Sequence, residues 1–385
     1  MHLSNFNNEI DSFKQKMEEW DKQQYRSGFP SVTKEELLRD GVIVYGCGPL
    51  GIHIITSLLE CGVPISWIVD KNPEFQFSKY MGLDILPLES FKNVSKSFVM
   101  LASTHIKEMS NECIKYNIEK WILPASVRNF CHILGEIGIC DNVNYPKDDI
   151  ISGFSLMCDN KSREIYKAFL KYHLVYDNDF SEYRDYVTYF PDDILNQIDY
   201  SFMIDAGAYT GDTLKDWIIK LNNREGERNY YAFEPSTKSF VQLRNFVNSL
   251  PYELQKNIHI NNIALGGFQG HINILGDGGS AVTYHEEKVS KHVEYIPLDC
   301  IDNLFESLCP TFIKADIEGT ESELLSGAEK TIKRCRPTLA ISVYHRFSDL
   351  WTIPKWISDL DCGYKIYMRH FNSVFTDTVC FAIAS

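Results

Sequence analysis

The chain has 385 residues, with 38 Lys and Arg against 52 Asp and Glu and a formal net charge of −14. At 44% hydrophobic and 23% charged residues, the composition is that of a packed globular protein and excludes collagen-like, disordered and mucin-like chains. The acidic balance argues against nucleic acid as a partner, because a large footprint on it needs basic surface to displace counterions.

The N-terminal stretch MHLSNFNNEIDSFKQKMEEW carries acids and amides where a secretion signal needs a basic start and an apolar run. No segment reaches the roughly 20 apolar residues that cross a bilayer. A cytoplasmic protein with no membrane span is therefore predicted. The 11 cysteines are scattered and lack C-x-x-C spacing, which reads as reduced thiols and not as a metal ribbon or redox pair.

Residues 1–38 predict a helical lead-in with a thin apolar stripe of Phe6, Ile10, Phe13, Met17 and Trp20. Residues 39–140 predict a Rossmann-like, nucleotide-binding-like domain. GVIVYGCGPLG is an apolar run ending in glycines, IHIITSLLEC has helical spacing, and PISWIVD is a second apolar run closed by Asp70. Strand, glycine turn, helix and strand make a βαβ unit. LDIL, SFVMLAS and KWILP add strands to its sheet. Gly46, Gly48 and Gly51 form G-x-G-x-x-G, and Asp70 stands 19 residues after Gly51, so this turn is a candidate second nucleotide site. Close helix–strand packing explains the same glycines without a ligand. His105, after the fourth apolar run, is the only titratable group of this unit considered for chemistry, and it is expected to be incidental.

Residues 141–200 predict a helical, aromatic-rich bridge. Tyr166, Phe169, Tyr172 and Tyr176 share a helix face, which suits core packing or a lid. Residues 201–385 then predict a second α/β unit. SFMIDAGAYTG is a strand ending in Asp205, followed by Gly207 and Gly211. NYYAFEP is a strand ending in Glu234, which lies 23 residues after Gly211 and suits a ribose. Asp205 would repel a pyrophosphate and attract the amino group of an amino-acid tail. Together they point to S-adenosylmethionine (SAM), with ribose on Glu234 and the methionyl end near Asp205. Ser236 or Thr237 is expected to cap the next helix.

The ordered blocks MIDAGAYTGDT, YYAFEPS, NNIALGGFQG, GGSAVTY, YIPLDCIDNL and FIKADIEGTESELLSGAEKTI, followed by RPTLAISVYH, resemble the FkbM-type SAM-dependent methyltransferases over about 185–385. The resemblance implies an α/β class I methyltransferase domain, a doubly wound sheet with a terminal antiparallel hairpin. It implies O-methylation, commonly of a sugar or secondary-metabolite hydroxyl. On its blocks, Asp205, Gly207, Ala208, Tyr209, Gly211, Glu234, Pro235, Ser236, Asn262, Ile263 and Ala264 are expected at the SAM site. Asp316, Glu318 and His345 are the candidates for catalysis.

Deprotonating a hydroxyl calls for a base or a metal. The acids Asp316, Glu318 and Glu321 form a candidate Mg²⁺ cluster, although Glu321 also suits a helix start and His345 suits the surface. The family often has an acid where Ser342 stands. Ser280 sits in a loop that either shapes a pocket or simply turns. The expected acceptor is a small molecule or glycan, and homo-oligomer formation stays open. Two other functions compete: an NAD(P)-dependent oxidoreductase of a nucleotide-sugar, and a non-catalytic nucleotide-binding scaffold.

Overall fold

The computed structural model describes residues 11–16, 34–60, 62–93, 98–103, 106–118, 121–122, 147–175, 180–221, 228–275, 282–284, 293–373 and 376–384. Phe6, Ile10, Met17, Trp20, His105, Tyr176 and Ser280 lie outside them. The chain divides into two compact units, Met1–Ile151 with Tyr166–Phe180, and Ser152–Ile165 with Ser181–Ser385. Residues expected to form a separate bridge are thus distributed between the two. No helix among the described residues is long and apolar enough to cross a membrane.

The first unit is built on β1 (Val42–Tyr45), β2 (Ile65–Val69), β3 (Lys79–Tyr80), β4 (Leu83–Leu86), β5 (Phe98–Leu101) and β6 (Trp121–Ile122), in the order β3-β4-β2-β1-β5-β6. The pairs β1–β2, β1–β5, β2–β4 and β5–β6 are parallel, and β3–β4 is antiparallel. β1 and β5 are buried at every residue, as an apolar run in a sheet covered on both faces must be. Val42 and Val44 pack with Ile54, Leu58 and Ile68 on one face. Ile43 and Tyr45 pack with Phe91, Met109 and Cys113 on the other, following the two-residue strand period. Phe13 is buried against the edge of Tyr166. Tyr166, Phe169 and Tyr172 are buried, so the described part of the aromatic stripe is core.

The second unit has a seven-stranded sheet in the order β16-β17-β15-β14-β7-β8-β9. Its strands are β7 (Phe202–Ala206), β8 (Asn229–Phe233), β9 (Ile258–Asn261), β14 (Phe312–Ala315), β15 (Thr338–Ser342), β16 (Tyr364–His370) and β17 (Thr378–Ala384). β9, β8, β7, β14 and β15 run parallel, whereas β17 is antiparallel to β15 and β16. This is the doubly wound sheet with a reversed terminal hairpin that the sequence predicts. The chain goes from β7 outward to β8 and β9, then returns to β14 on the other side. The crevice at the carboxyl ends of β7 and its neighbours is where open α/β sheets place ligands. Between β9 and β14 the chain builds a separate four-stranded sheet, β10-β13-β11-β12, from β10 (Ala264–Leu265), β11 (Gly270–Leu275), β12 (Val282–Tyr284) and β13 (Val293–Asp299).

Aromatic packing beneath the main sheet is dense. Tyr200 stacks on Phe190 at 4.8 Å between ring centres and lies 4.6 Å from Phe312, while Trp217 packs edge-on against Tyr230. Each polar atom of this cluster that is buried finds a partner, as it must to offset desolvation: Tyr200 donates to the Tyr189 carbonyl (2.9 Å) and Trp217 to the Tyr200 carbonyl (3.0 Å). Among the described residues, one cysteine pair departs from the all-reduced expectation. Cys309 and Cys335 form a disulfide, because the turn before β14 and the end of helix Glu329–Cys335 bring their Cα atoms to 5.4 Å.

A buried cation ties Asp159, Ser162 and Asp193 to the hairpin. Arg369 on β16 is fully buried; its guanidinium donates to Asp193 (2.7 and 3.1 Å), Asp159 (2.7 Å) and Ser162 Oγ (3.0 Å). Removing one partner of a buried pair strands the other charges, at a cost of roughly 3–5 kcal/mol, and the part-exposed aspartates put this pair near the lower end. Arg369→Met is expected to lower the unfolding free energy by about 3 kcal/mol in urea titration, and a loss under about 1 kcal/mol would show the cluster to behave like a surface pair.

Candidate active site

The crevice holds a cavity of about 370 Å³, within the range of small-molecule sites. Its floor comes from the ends of the main strands: Gly207 and Tyr209 after β7, Phe233 to Ser236 at β8, and Lys314 to Glu318 at β14. Its apolar wall comes from the small sheet, through Ala264, Leu265, Ile272, Ile274 and Leu298. Acids Asp212, Asp316, Glu318, Glu323 and Asp377 line the remainder. Four lining residues other than glycine, Tyr189, Tyr209, Glu318 and Asp377, have positive φ between 46° and 66°. Such conformations cost energy and persist where the surroundings hold them. For Tyr189, that hold is the hydrogen bond from Tyr200 to its carbonyl.

Glu234 directly follows β8 and lines the cavity. Its carboxylate accepts from the Tyr209 N–H (2.8 Å) and the Ser236 N–H (2.8 Å), so it fastens the glycine turn to the end of β8. Burial pushes its pKa up to about 7, against the opposing pull of these two hydrogen bonds and of Lys314. Ser236 caps helix Thr237–Ser249 by accepting from Ser239 N–H. Asn262 stands behind the floor and donates to the carbonyls of Glu234 (2.9 Å) and Pro235 (3.0 Å).

Asp205 does not reach the cavity, contrary to the expectation that it meets the methionyl end. It is fully buried, accepts a hydrogen bond from Tyr230, and lies 2.7 Å from Lys314 Nζ. The cause is register. Lys314 on β14 sits directly opposite Asp205 on β7, and same-face cross-strand neighbours are close enough to pair. Burial raises the Asp205 carboxyl against the pull of Lys314. Lys314 stays above its ordinary value because Asp205, Asp316 and Asp212 together outweigh its own burial. It lines the cavity, donates to the Gly207 carbonyl (2.6 Å), and lies 5.2 Å from the Tyr189 ring centre.

Ala208, Gly211, Asn262 and Ile263 also do not line the cavity, whereas Gly207, Tyr209, Glu234, Pro235, Ser236 and Ala264 do. The glycines of this turn serve packing. A Cβ on Gly207 (φ +79°) would stand 2.0 Å from the Asp316 carbonyl, and one on Gly211 would press on Phe246 and Leu243.

Asp316 and Glu318 line the cavity; His345 stands behind them, 94% buried, correcting the surface placement considered for it. Asp316 accepts from the hydroxyls of Tyr189 (2.8 Å) and Tyr344 (3.0 Å). Burial alone would raise its pKa, but His345, Lys314 and the two tyrosines hold it below the ordinary value. Glu321 does begin helix Glu321–Ser326, yet it is fully buried. Its Oε1 accepts from the Ile317 and Gly319 N–H groups and meets His345 Nδ1 at 2.7 Å. Asp316, Glu321 and His345 each offer one ligand atom within 4.8 Å of the others.

Lys314, Tyr189, Tyr344 and Asp377 were missed by sequence reasoning. The signal for Lys314 is a charge inside the apolar run F-I-K-A, two residues before Asp316.

In the first unit, Gly46, Gly48, Gly51 and Asp70 do meet at one turn. Asp70 accepts from the Cys47 (2.6 Å) and Asn72 (2.7 Å) N–H groups. A Cβ on Gly46 would stand 2.6 Å from the Ala102 carbonyl and one on Gly51 would stand 2.1 Å from the Gly46 carbonyl, so both have packing reasons, whereas Gly48 has no atom within 4 Å of that position.

The predicted methyl-donor site can be compared with known proteins on this geometry. Residues 205–366 match the family model for the methyltransferase FkbM domain. The chain is similar in structure to methyltransferase FkbM from Methylobacillus flagellatus KT, with a TM-score of 0.68, 20% identity, and coverage of 97% of this chain and 100% of that one. At that identity the likeness speaks for the fold. Weaker matches include fibrillarin from Aeropyrum pernix in complex with SAM (TM-score 0.30, 13% identity, 49% of this chain and 68% of that one). Another is magnesium protoporphyrin IX methyltransferase from Synechocystis PCC 6803 with bound SAM (TM-score 0.30, 13% identity, 63% and 86%). No curated protein matches the chain.

The Asp205–Lys314 pair makes a direct stability prediction. Lys314→Met is expected to destabilise the fold by roughly 3–5 kcal/mol, since it leaves a buried carboxylate without its cation. The double change with Asp205→Asn is expected to recover much of that loss in chemical denaturation. Equal losses in the single and double variants would show that the pair is not coupled.

Proposed function

We propose that this chain, which carries a methyltransferase FkbM domain over residues 205–366 and is a SAM-dependent methyltransferase, methylates a hydroxyl of a sugar or glycoconjugate precursor. The supporting observation is a cavity with two chemically different ends. One end, between Glu234 and the apolar wall of Leu265, Ile272, Ile274 and Leu298, suits a nucleoside. The other, lined by Asp316, Glu318 and Asp377, suits a cationic sulfur and an acceptor rich in hydroxyl donors.

SAM, when bound, supplies an electrophilic methyl on a sulfonium. Glu234 would hold the ribose hydroxyls through the lone pairs that the Tyr209 and Ser236 N–H groups leave free. Gly207 and Tyr209 would present backbone beside the nucleoside, and Pro235, Ser236 and Ala264 would border the base. The carboxylates at the far end favour the positive sulfur before transfer. The acceptor oxygen gains the methyl as the S–C bond breaks. Its proton leaves at the acidic end of the cavity, beside Asp316, Glu318 and His345. Most of the rate is expected from alignment of donor and acceptor. Asp205 contributes from behind, by placing Lys314 and through it the Gly207 carbonyl.

The reading extends to a cytoplasmic enzyme with a small-molecule or glycan acceptor. The test is incubation of the full chain with methyl-labelled SAM and a panel of nucleotide-sugars, free sugars and polyketide alcohols. Label in an ether that survives mild alkali is expected, and transfer confined to nitrogen, carbon or carboxylate acceptors would contradict O-methylation.

Glu234 also sets a pH dependence. The ionised carboxylate accepts the ribose hydroxyls, and its folded pKa of about 7 lies above that of a free glutamate. Affinity for SAM is therefore strongest above pH 7 and falls as the pH drops through that value. Glu234→Gln is expected to weaken binding by about 1.5–3 kcal/mol at pH 8 and to flatten this pH profile in calorimetric titration. A parallel pH dependence in both proteins would place the titrating group elsewhere.

A further inference from the structure

We propose that His345 Nε2, Asp316 and Glu318 bind one divalent cation of the Mn²⁺–Zn²⁺ class at the acidic end of the cavity. This rests on the reading of that end as the acceptor side of the methyltransferase, and gives that side its means of activating a hydroxyl.

Three observations carry it. Glu321 Oε1 receives two backbone N–H groups and His345 Nδ1 together, so it acts as an ionised acceptor and Nδ1 carries the ring hydrogen. In the neutral imidazole Nε2 then carries the lone pair, and a cation can take the place that a second proton fills in the imidazolium. Nε2 is buried and has no hydrogen-bond partner among the described residues. It faces two further anionic oxygens, Asp316 Oδ1 at 3.3 Å and Glu318 Oε2 at 3.7 Å. A lone pair turned toward two carboxylates is repulsive unless something positive lies between them.

The 3.3 Å from Nε2 to Asp316 suits a shared metal, and Glu318 at 3.7 Å would close slightly on binding it. A cation about 2.0–2.2 Å from nitrogen and oxygen ligands in tetrahedral geometry keeps them roughly 3.3–3.6 Å apart. The back of the ring suits it as well, because ligand histidines commonly give their other N–H to a carboxylate that fixes the ring, as Glu321 does here. One imidazole with two carboxylates is a donor set shared by Mn²⁺ and Zn²⁺, and less suited to Mg²⁺ or Ca²⁺. The cation would bind the acceptor oxygen and lower its pKa, so that its proton passes to water before the oxygen takes the methyl.

The experiment is Mn²⁺ binding to the metal-stripped full chain without SAM, followed by electron paramagnetic resonance and calorimetry, with Zn²⁺ as competitor. One bound Mn²⁺ per chain, displaced by Zn²⁺, is expected. His345→Gln and Glu318→Gln are expected to abolish it. Glu321→Gln, which can still accept from Nδ1, is expected to weaken it by about 10–100-fold. Circular dichroism of each variant separates loss of the site from loss of the fold. Absence of bound Mn²⁺ and Zn²⁺ would overturn the proposal, as would binding unchanged in His345→Gln. So would nitrogen NMR showing both ring nitrogens of His345 protonated at pH 8, because a proton would then fill the role given to the metal. Loss of SAM binding in a chain that still holds Mn²⁺ would count against the methyl-donor site and leave the cation site standing.

Discussion

The second unit depends on the ion pair that joins its two central strands. Asp205 and Lys314 face each other across β7 and β14, both buried, with Tyr230 completing the carboxylate. Burying two charges costs several kcal/mol each. That cost is offset because Lys314 uses its donors on the Gly207 carbonyl as well, and because Asp316 adds a second negative neighbour. The result is one rigid junction where the first glycine turn meets the turn after β14. Gly207 can approach the Asp316 carbonyl only without a Cβ, so the glycine and the ion pair describe the same closure from two sides.

From that junction the two ends of the cavity follow. Glu234 is anchored to the Gly207 side through the Tyr209 N–H. Asp316 is anchored to the opposite side through Tyr189 and Tyr344. Buried polar groups that are satisfied in this way stiffen a site, and a stiff site is what alignment-dependent transfer needs. Tyr189 belongs to this frame and to the aromatic core at once, since its carbonyl accepts from Tyr200 and its hydroxyl donates to Asp316.

Much of this was legible in the sequence. The βαβ pattern, the reversed hairpin, the Ser236 cap and the position of Glu234 came from apolar periodicity and turn residues, which are local signals. What was not legible is long-range. Asp205 ends an apolar strand just as a ligand-binding acid would, and only the pairing of β7 with β14 reveals that a lysine claims it. His345 follows an apolar run, as an exposed residue also could; it is buried against Glu321, a residue that helix propensity alone would place at a helix start. The Asp70 turn repeats the lesson. Its carboxylate holds its own glycine turn as Glu234 does, an equivalence of geometry that the unlike sequences of the two units conceal.

The carboxyl-end crevice is proposed to hold SAM with its nucleoside on Glu234 and its sulfur turned toward Asp316. A crystal structure with S-adenosylhomocysteine measures this most directly. The ribose hydroxyls are predicted on the Glu234 carboxylate, the base against Ile272 and Leu298, and the sulfur on the Asp316 side of Lys314. Density for the nucleoside in any other crevice, or with its ribose turned away from Glu234, would contradict the account.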